Sequence, residues 1–155
     1  MPRIEAVRFV PVAIDAAFAV SQTHGEVRLL WDPFIRSQHL IDATEPGKGV
    51  RTGTVSRHRL HMISEYVSFK PPAQVGMRMV DGPWFFEAFG GGWAFAAVDG
   101  GTRATWRYTF TVRPKWLAPL ADRIGTRLLQ RDIEARLAAF AAGCENPEVL
   151  AAVKR

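Results

Sequence analysis

One cysteine, Cys144, stands in 155 residues, so no internal disulfide can form and no cysteine cluster is available to a metal. No apolar stretch comes near the ~18 residues of a membrane span. The first residues, MPRIEAVRFVPVAID, carry charges too early for the unbroken apolar core of a signal peptide. The expectation is a cytoplasmic protein without stable membrane insertion. Lysine is scarce, limited to Lys48, Lys70, Lys115 and Lys154, and arginine supplies the rest of the 20 basic residues. These outweigh 15 acidic residues for a net charge of +5, yet they are scattered, with no run of five or six. The densest group is Arg57, His58, Arg59 and His61. Charge without a motif or an aromatic-basic stripe is weak support for nucleic-acid binding, so no nucleic-acid partner is expected.

Nucleotide and metal motifs are also missing. Gly90-Gly91-Gly92 is followed by Trp93-Ala94-Phe95, which continues a strand, where a phosphate loop needs Lys-Ser/Thr and a helix. Gly47 to Gly53 (GKGVRTG) has the spacing G-x-G-x-x-x-G and again precedes a strand. No HExxH or equivalent occurs. We therefore expect no cofactor and no metal.

What the chain does have is a succession of strand signals and one long helix. Arg3–Val10 reads as a strand. Asp15 is a plausible N-cap for a short helix through AAFAV, and a second short helix, GEVRLLW, runs into Asp32-Pro33. Strands follow at Phe34–Ala43, Gly53–Met62, Ile63–Lys70, Gln74–Val80, Trp84–Val98 and Thr102–Pro114, punctuated by EPGKG, Pro71-Pro72, Asp81-Gly82-Pro83 and Asp99-Gly100-Gly101. The last strand alternates cleanly. Ala104, Trp106, Tyr108, Phe110 and Val112 share one face, and Thr105, Arg107, Thr109 and Thr111 the other, as in a half-buried antiparallel strand. From Trp116 to Ala142, Leu117, Leu120, Ile124, Leu128, Ile133, Leu137 and Phe140 recur at helical spacing opposite Arg123, Arg127 and Arg131. Gly143 can end that helix. Asn146-Pro147 opens a short terminal one. The expected class is α+β, one domain over 1–143 with a helical tail over 144–155. One helix is too narrow to fill the concave face of seven strands, so a cavity is expected between them.

In order along the chain, WDPFIRS, E-x-V-x-F-K-P-P, G-P-W-F-F, W-x-F, D-G-G-T-R-x-T-W-R-Y and the closing helix resemble the SRPBCC superfamily. Within it, the sequence resembles the polyketide cyclase/dehydrase and lipid-transport group of START-like proteins, over about Ile4 to Phe140. That resemblance implies a helix-grip fold, a curved antiparallel sheet wrapped around the C-terminal helix over a hydrophobic cavity. It also implies ligands such as lipids, sterols or polyketides, with catalysis of aromatisation or cyclisation in a minority of members.

Three functions follow. The first is binding of an apolar small molecule, with walls from Met77, Met79, Phe89, Trp93, Phe95, Trp106, Tyr108 and Phe110. Leu120, Ile124 and Leu128 would form the lid, and Trp31 and Phe34 would close one end. The second is an aromatase/cyclase-type enzyme using His58, Tyr108 and Glu87 for proton transfer. On a continuous strand His58 shares a face with Leu60 and Met62, and it is either a cavity acid/base or a hydrogen-bonded structural histidine. Glu87 lies inside with Phe89 and Trp93 if the strand is regular, and outside if the glycines form a bulge. The third is a protein-interaction module contacting through Arg123, Arg127 and Arg131. Asp32 reads as a turn or cap residue, and Cys144 as an unreactive thiol. The sequence leaves the oligomeric state open, a homodimer included.

Overall fold

The computed structural model describes residues 2–154. Seven strands form a single antiparallel sheet: β1 (Arg3–Val10), β2 (Ile35–Ile41), β3 (Arg51–Ser56), β4 (His61–Lys70), β5 (Gln74–Asp81), β6 (Phe86–Val98) and β7 (Gly101–Val112). Two short helices, α1 (Ile14–Ser21) and α2 (Gly25–Leu29), link β1 to β2. A 3-10 turn (Lys115–Leu117) leads into the long α3 (Ala118–Gly143), and α4 (Pro147–Val153) ends the chain. The strand order is β1-β7-β6-β5-β4-β3-β2. Every neighbour is next in sequence except β1, which crosses to pair with β7 in the register Ile4↔Tyr108. The sheet curls into a half-barrel around α3, the helix-grip arrangement that the sequence resemblance implies.

β7 keeps the expected alternation without a break: Thr102, Ala104, Trp106, Tyr108, Phe110 and Val112 are all buried. Its partner β6 stacks Trp93 directly on Trp106, with ring centroids 4.0 Å apart. The core gathers at one end of the half-barrel, where Phe18 of α1, Phe95 of β6, Ile133, Leu137 and Phe140 of α3 and Val149 of α4 pack together. The segment after Gly143 is part of that core: Cys144 and Val149 are fully buried and α4 packs on α1.

Two local expectations shift. Gly53–Met62 is not one strand. The chain turns at Arg57–Leu60, with Arg59 in the left-handed region (φ 65°) and the Ser56 hydroxyl accepting from the amides of His58 and Leu60. No glycine or proline marks that turn. Of the two roles open to the triple glycine, a bulge or a bend, the register excludes the bulge. Gly90, Gly91 and Gly92 pair in unbroken register with Thr109, Tyr108 and Arg107, and the irregularity lies upstream, between Phe86 and Ala88. The glycines serve close approach. A Cβ on Gly92 would collide with the Val75 carbonyl of β5, and one on Gly91 would sit 2.7 Å from the Arg107 carbonyl and 3.2 Å from the Tyr108 ring. The strand can lie this close to its neighbours because no side chains stand there.

Candidate functional site

α3 packs on β1 and β7 and stands away from β2 to β5. Between them lies a cavity of about 480 Å³. Its sheet wall carries Leu40, Met62, Met77, Met79, Phe89, Trp93 and Trp106, and its helix wall carries Ala121, Gly125, Leu128 and Leu129. Gly125 suits that wall because a Cβ there would press on the Phe110 ring at 3.3 Å.

The inner end is polar. Asp32, 2% exposed, sits between two arginines. Arg136 of α3 donates to it through Nε (3.1 Å) and Nη2 (2.7 Å), a two-pronged pair, and Arg28 of α2 donates through Nε at 2.9 Å. Asp32 also accepts from the Phe34 amide, which holds the chain as it enters β2. Arg136 Nη1 donates to the Tyr108 hydroxyl. Arg28 Nη1 reaches the carbonyls of Ser21 and Thr23 at 2.8 and 3.3 Å. Each guanidinium also lies over aromatic rings: Arg28 over Trp31 at 4.4 Å and Arg136 over Trp106 at 4.3 Å. Beside this cluster Tyr66 donates to Gln22 Oε1 at 2.9 Å.

Burial and charge compete at each group. Burial pushes the Asp32 carboxyl upward, but Arg136 and Arg28 outweigh it and hold its pKa at about 2. Tyr66 is pushed up to about 12 by burial, against a smaller opposing pull from Arg28. Tyr108 is likewise raised by burial despite the neighbouring Arg136 cation. Both phenols therefore stay protonated across the ordinary pH range. Because its oxygen accepts from a cation, the Tyr108 hydroxyl is polarised as a donor toward the cavity.

The sequence-predicted residues distribute as follows. Phe34, Met77, Met79, Phe89, Trp93, Trp106, Tyr108, Phe110, Ile124 and Leu128 border the cavity. Ile124 and Leu128 do so from its edge, more than half exposed. Trp31 and Phe95 do not border it. Trp31 packs edge-on against Phe140 and donates to Thr23, and Phe95 belongs to the core beneath Phe18 and Phe140. Leu120 is 60% exposed and away from the cavity, because the helix turns that residue outward. His58 is exposed in the β3–β4 turn at the cavity's rim, hydrogen-bonded to Arg57 at 3.4 Å, because the turn replaces the continuous strand assumed for it. Glu87 is the bulged residue of β6, outside the cavity, with its carboxylate 3.8 Å from Lys115. His58, Tyr108 and Glu87 therefore do not meet. Among the described residues, no three His, Cys, Asp or Glu side chains converge as a metal site would require. Nor is any helix long and apolar enough to cross a membrane.

Sequence reading passed over Arg28 and Arg136 and gave Asp32 only a turn role. A signal existed for Arg136. It falls within the Ile133, Leu137, Phe140 stripe, where the only charged side chain on a buried helix face needs a buried partner.

Comparison with known proteins agrees with this arrangement. No curated protein matches the chain in sequence. Among solved structures it is similar to TTHA0849 from Thermus thermophilus, with a TM-score of 0.75 and 16% identity over 99% of this chain and 100% of that one. It is similar to the Zhui aromatase/cyclase from Streptomyces sp. R1128, with a TM-score of 0.75 and 17% identity over 93% of each chain. It is also similar to Ara h 8.0201, with a TM-score of 0.69 and 16% identity over 92% of this chain and 97% of that one. At such identities the likeness is one of fold. The family model described as polyketide cyclase / dehydrase and lipid transport matches residues 1–145, and the chain belongs to that family.

Proposed function

We propose that the protein binds an apolar small molecule in the cavity between sheet and α3, with an oxygen of the ligand at the inner end. The carrying observation is the cavity itself: about 480 Å³, walled largely by methionines, aromatics and aliphatic residues, with the buried Arg28, Arg136 and Tyr108 cluster at its inner end. That is the usual form of a small-molecule site, apolar area for affinity and a few placed polar groups for orientation. Tyr108, kept neutral by burial, would donate to a ligand carbonyl or hydroxyl, and Arg136 behind it would strengthen that bond.

The Tyr108–Arg136 pair also suits a second reading, an aromatase/cyclase-type enzyme like the Zhui neighbour. In it the pair would stabilise an enolate as charge develops on oxygen. Neither base expected from the sequence stands beside Tyr108, since His58 is at the rim and Glu87 outside. Binding is therefore the better supported of the two.

The test is titration with N-phenyl-1-naphthylamine, a neutral apolar fluorophore, followed by displacement with dodecanol. Saturable binding of one probe per chain, with quenching of Trp93 and Trp106 emission, is expected. Absence of saturable binding would overturn the reading.

A further inference from the structure

The polar end of the cavity has an unbalanced charge. Arg28, Arg136 and Asp32 are 6%, 8% and 2% exposed. Two guanidiniums thus share one carboxylate, leaving one positive charge in excess among the buried groups. Among the described residues no other acid pairs with either arginine. Asp132, one turn before Arg136, also borders the cavity but is engaged by Arg57 at 3.5 Å. The remaining charged groups along the cavity, Arg78 and Arg113, are basic and exposed.

The excess falls on Arg28. Arg136 spends Nε and Nη2 on Asp32 and Nη1 on Tyr108. Arg28 spends Nε on Asp32 and Nη1 on two carbonyls, while its Nη2 has no acceptor among the described residues. The guanidinium borders the cavity and lies over the Trp31 ring at 4.4 Å. Two further cavity-lining side chains have buried polar atoms without a partner, His24 Nδ1 and Gln38 Oε1. Burial pulls the Arg28 pKa down despite its bond to Asp32, as expected of a charge short of counter-ion.

We infer that this end of the cavity takes an anionic head group, and that the ligand is a carboxylate-ended amphiphile lying head-inward against Arg28. A carboxylate oxygen can accept a charge-assisted hydrogen bond from the remaining Nη2–H of a guanidinium held in one orientation. The Tyr108 hydroxyl is the neighbouring donor in the same cluster. The inference rests on the cavity-binding reading and adds the sign of the head group.

The experiment compares three ligands with the same twelve-carbon chain at pH 8: laurate, dodecanol and dodecyltrimethylammonium. Affinity is measured by displacement of N-phenyl-1-naphthylamine. Laurate is expected to bind at least about tenfold tighter than dodecanol, with the trimethylammonium compound weakest, as a charge-assisted bond to a buried cation implies. In Arg28→Met, checked for its fold by circular dichroism, the laurate preference should disappear while dodecanol binding persists. The wild-type ranking tests the inference whether or not that variant folds. Equal affinity for laurate and dodecanol, or a preference for the cation, would overturn the anionic head group and leave cavity binding standing. Failure of all three to bind would overturn the cavity reading and this inference with it.

Discussion

Asp32 carries more of the molecule than its place in a WDP turn suggests. Its folded pKa of about 2 lies below the ordinary aspartate value, because Arg136 and Arg28 overcome the upward push of burial. A carboxyl depressed in this way adds stability at pH values above its unfolded pKa of about 4, and that stability is lost as pH falls through about 2. The contribution is about 2 kcal/mol, withdrawn between about pH 4 and pH 2. Asp32→Asn should remove that dependence, flattening the acid limb of a urea-midpoint profile. At pH 7 the variant should lose about 3–5 kcal/mol, because two buried guanidiniums then face no carboxylate. An unchanged midpoint at pH 7 would show the triad to be dispensable. The sequence made half of this legible. Arg136 interrupts an apolar helical stripe, which is a readable anomaly. Arg28 and Asp32 are four residues apart, but such pairs are commonly solvated, and α2 is too short for its periodicity to show a buried face.

At the scale of elements, α3 is two helices in energetic terms. Ile133, Leu137 and Phe140 are buried, whereas Leu120, Ile124 and Leu128 are all more than half exposed. The second half is fixed by the core and by the Asp32 pair, and the first half spans the cavity. Amide hydrogens of 121–129 should therefore exchange faster than those of 133–141, measured by exchange mass spectrometry, and a cavity ligand should slow the former preferentially. Uniform protection along the helix would contradict this division. Sequence periodicity identified the helix and assigned Leu120, Ile124 and Leu128 to a lid, without showing which turns are buried. Which turns meet the sheet depends on where β1 and β7 lie, and that is a tertiary fact. The strands were legible where alternation or a Gly/Pro signal marked them, β7 above all. The β3–β4 turn was not, because Ser56, Arg57, His58, Arg59 and Leu60 contain no turn residue stronger than serine. The side taken by Glu87 was left open for a related reason. A bulge shows itself only in the partner's register, and Phe86↔Val112 followed by Ala88↔Thr111 cannot be read from one strand.

For the whole molecule, the C-terminal corner reports on global integrity. Cys144 is fully buried where α3, α4 and α1 meet, and burial raises its pKa to about 12. Its thiolate fraction is negligible near neutral pH, and no reagent reaches it without opening the core. Reaction with a thiol-specific reagent in native buffer should be at least about a thousandfold slower than in denaturant, in step with global unfolding. Prompt labelling with the rest of the fold intact would mean that α4 detaches on its own.

The pairing of β1 with β7 has a consequence in time. Ile4 meets Tyr108, so the first strand made is held by the last, and Arg28 and Asp32 wait for Arg136, more than a hundred residues later. β2 to β6 can add to one another as the chain emerges, each beside its predecessor. The pocket's floor, its buried charges and its lid are completed together only after α3 has left the ribosome. Until then Arg28 has a carboxylate but no enclosure, and Trp106 and Tyr108 have no roof. Long-range closure of this kind slows folding. For an interval in each synthesis, the surface that will later line the cavity is an open apolar trough.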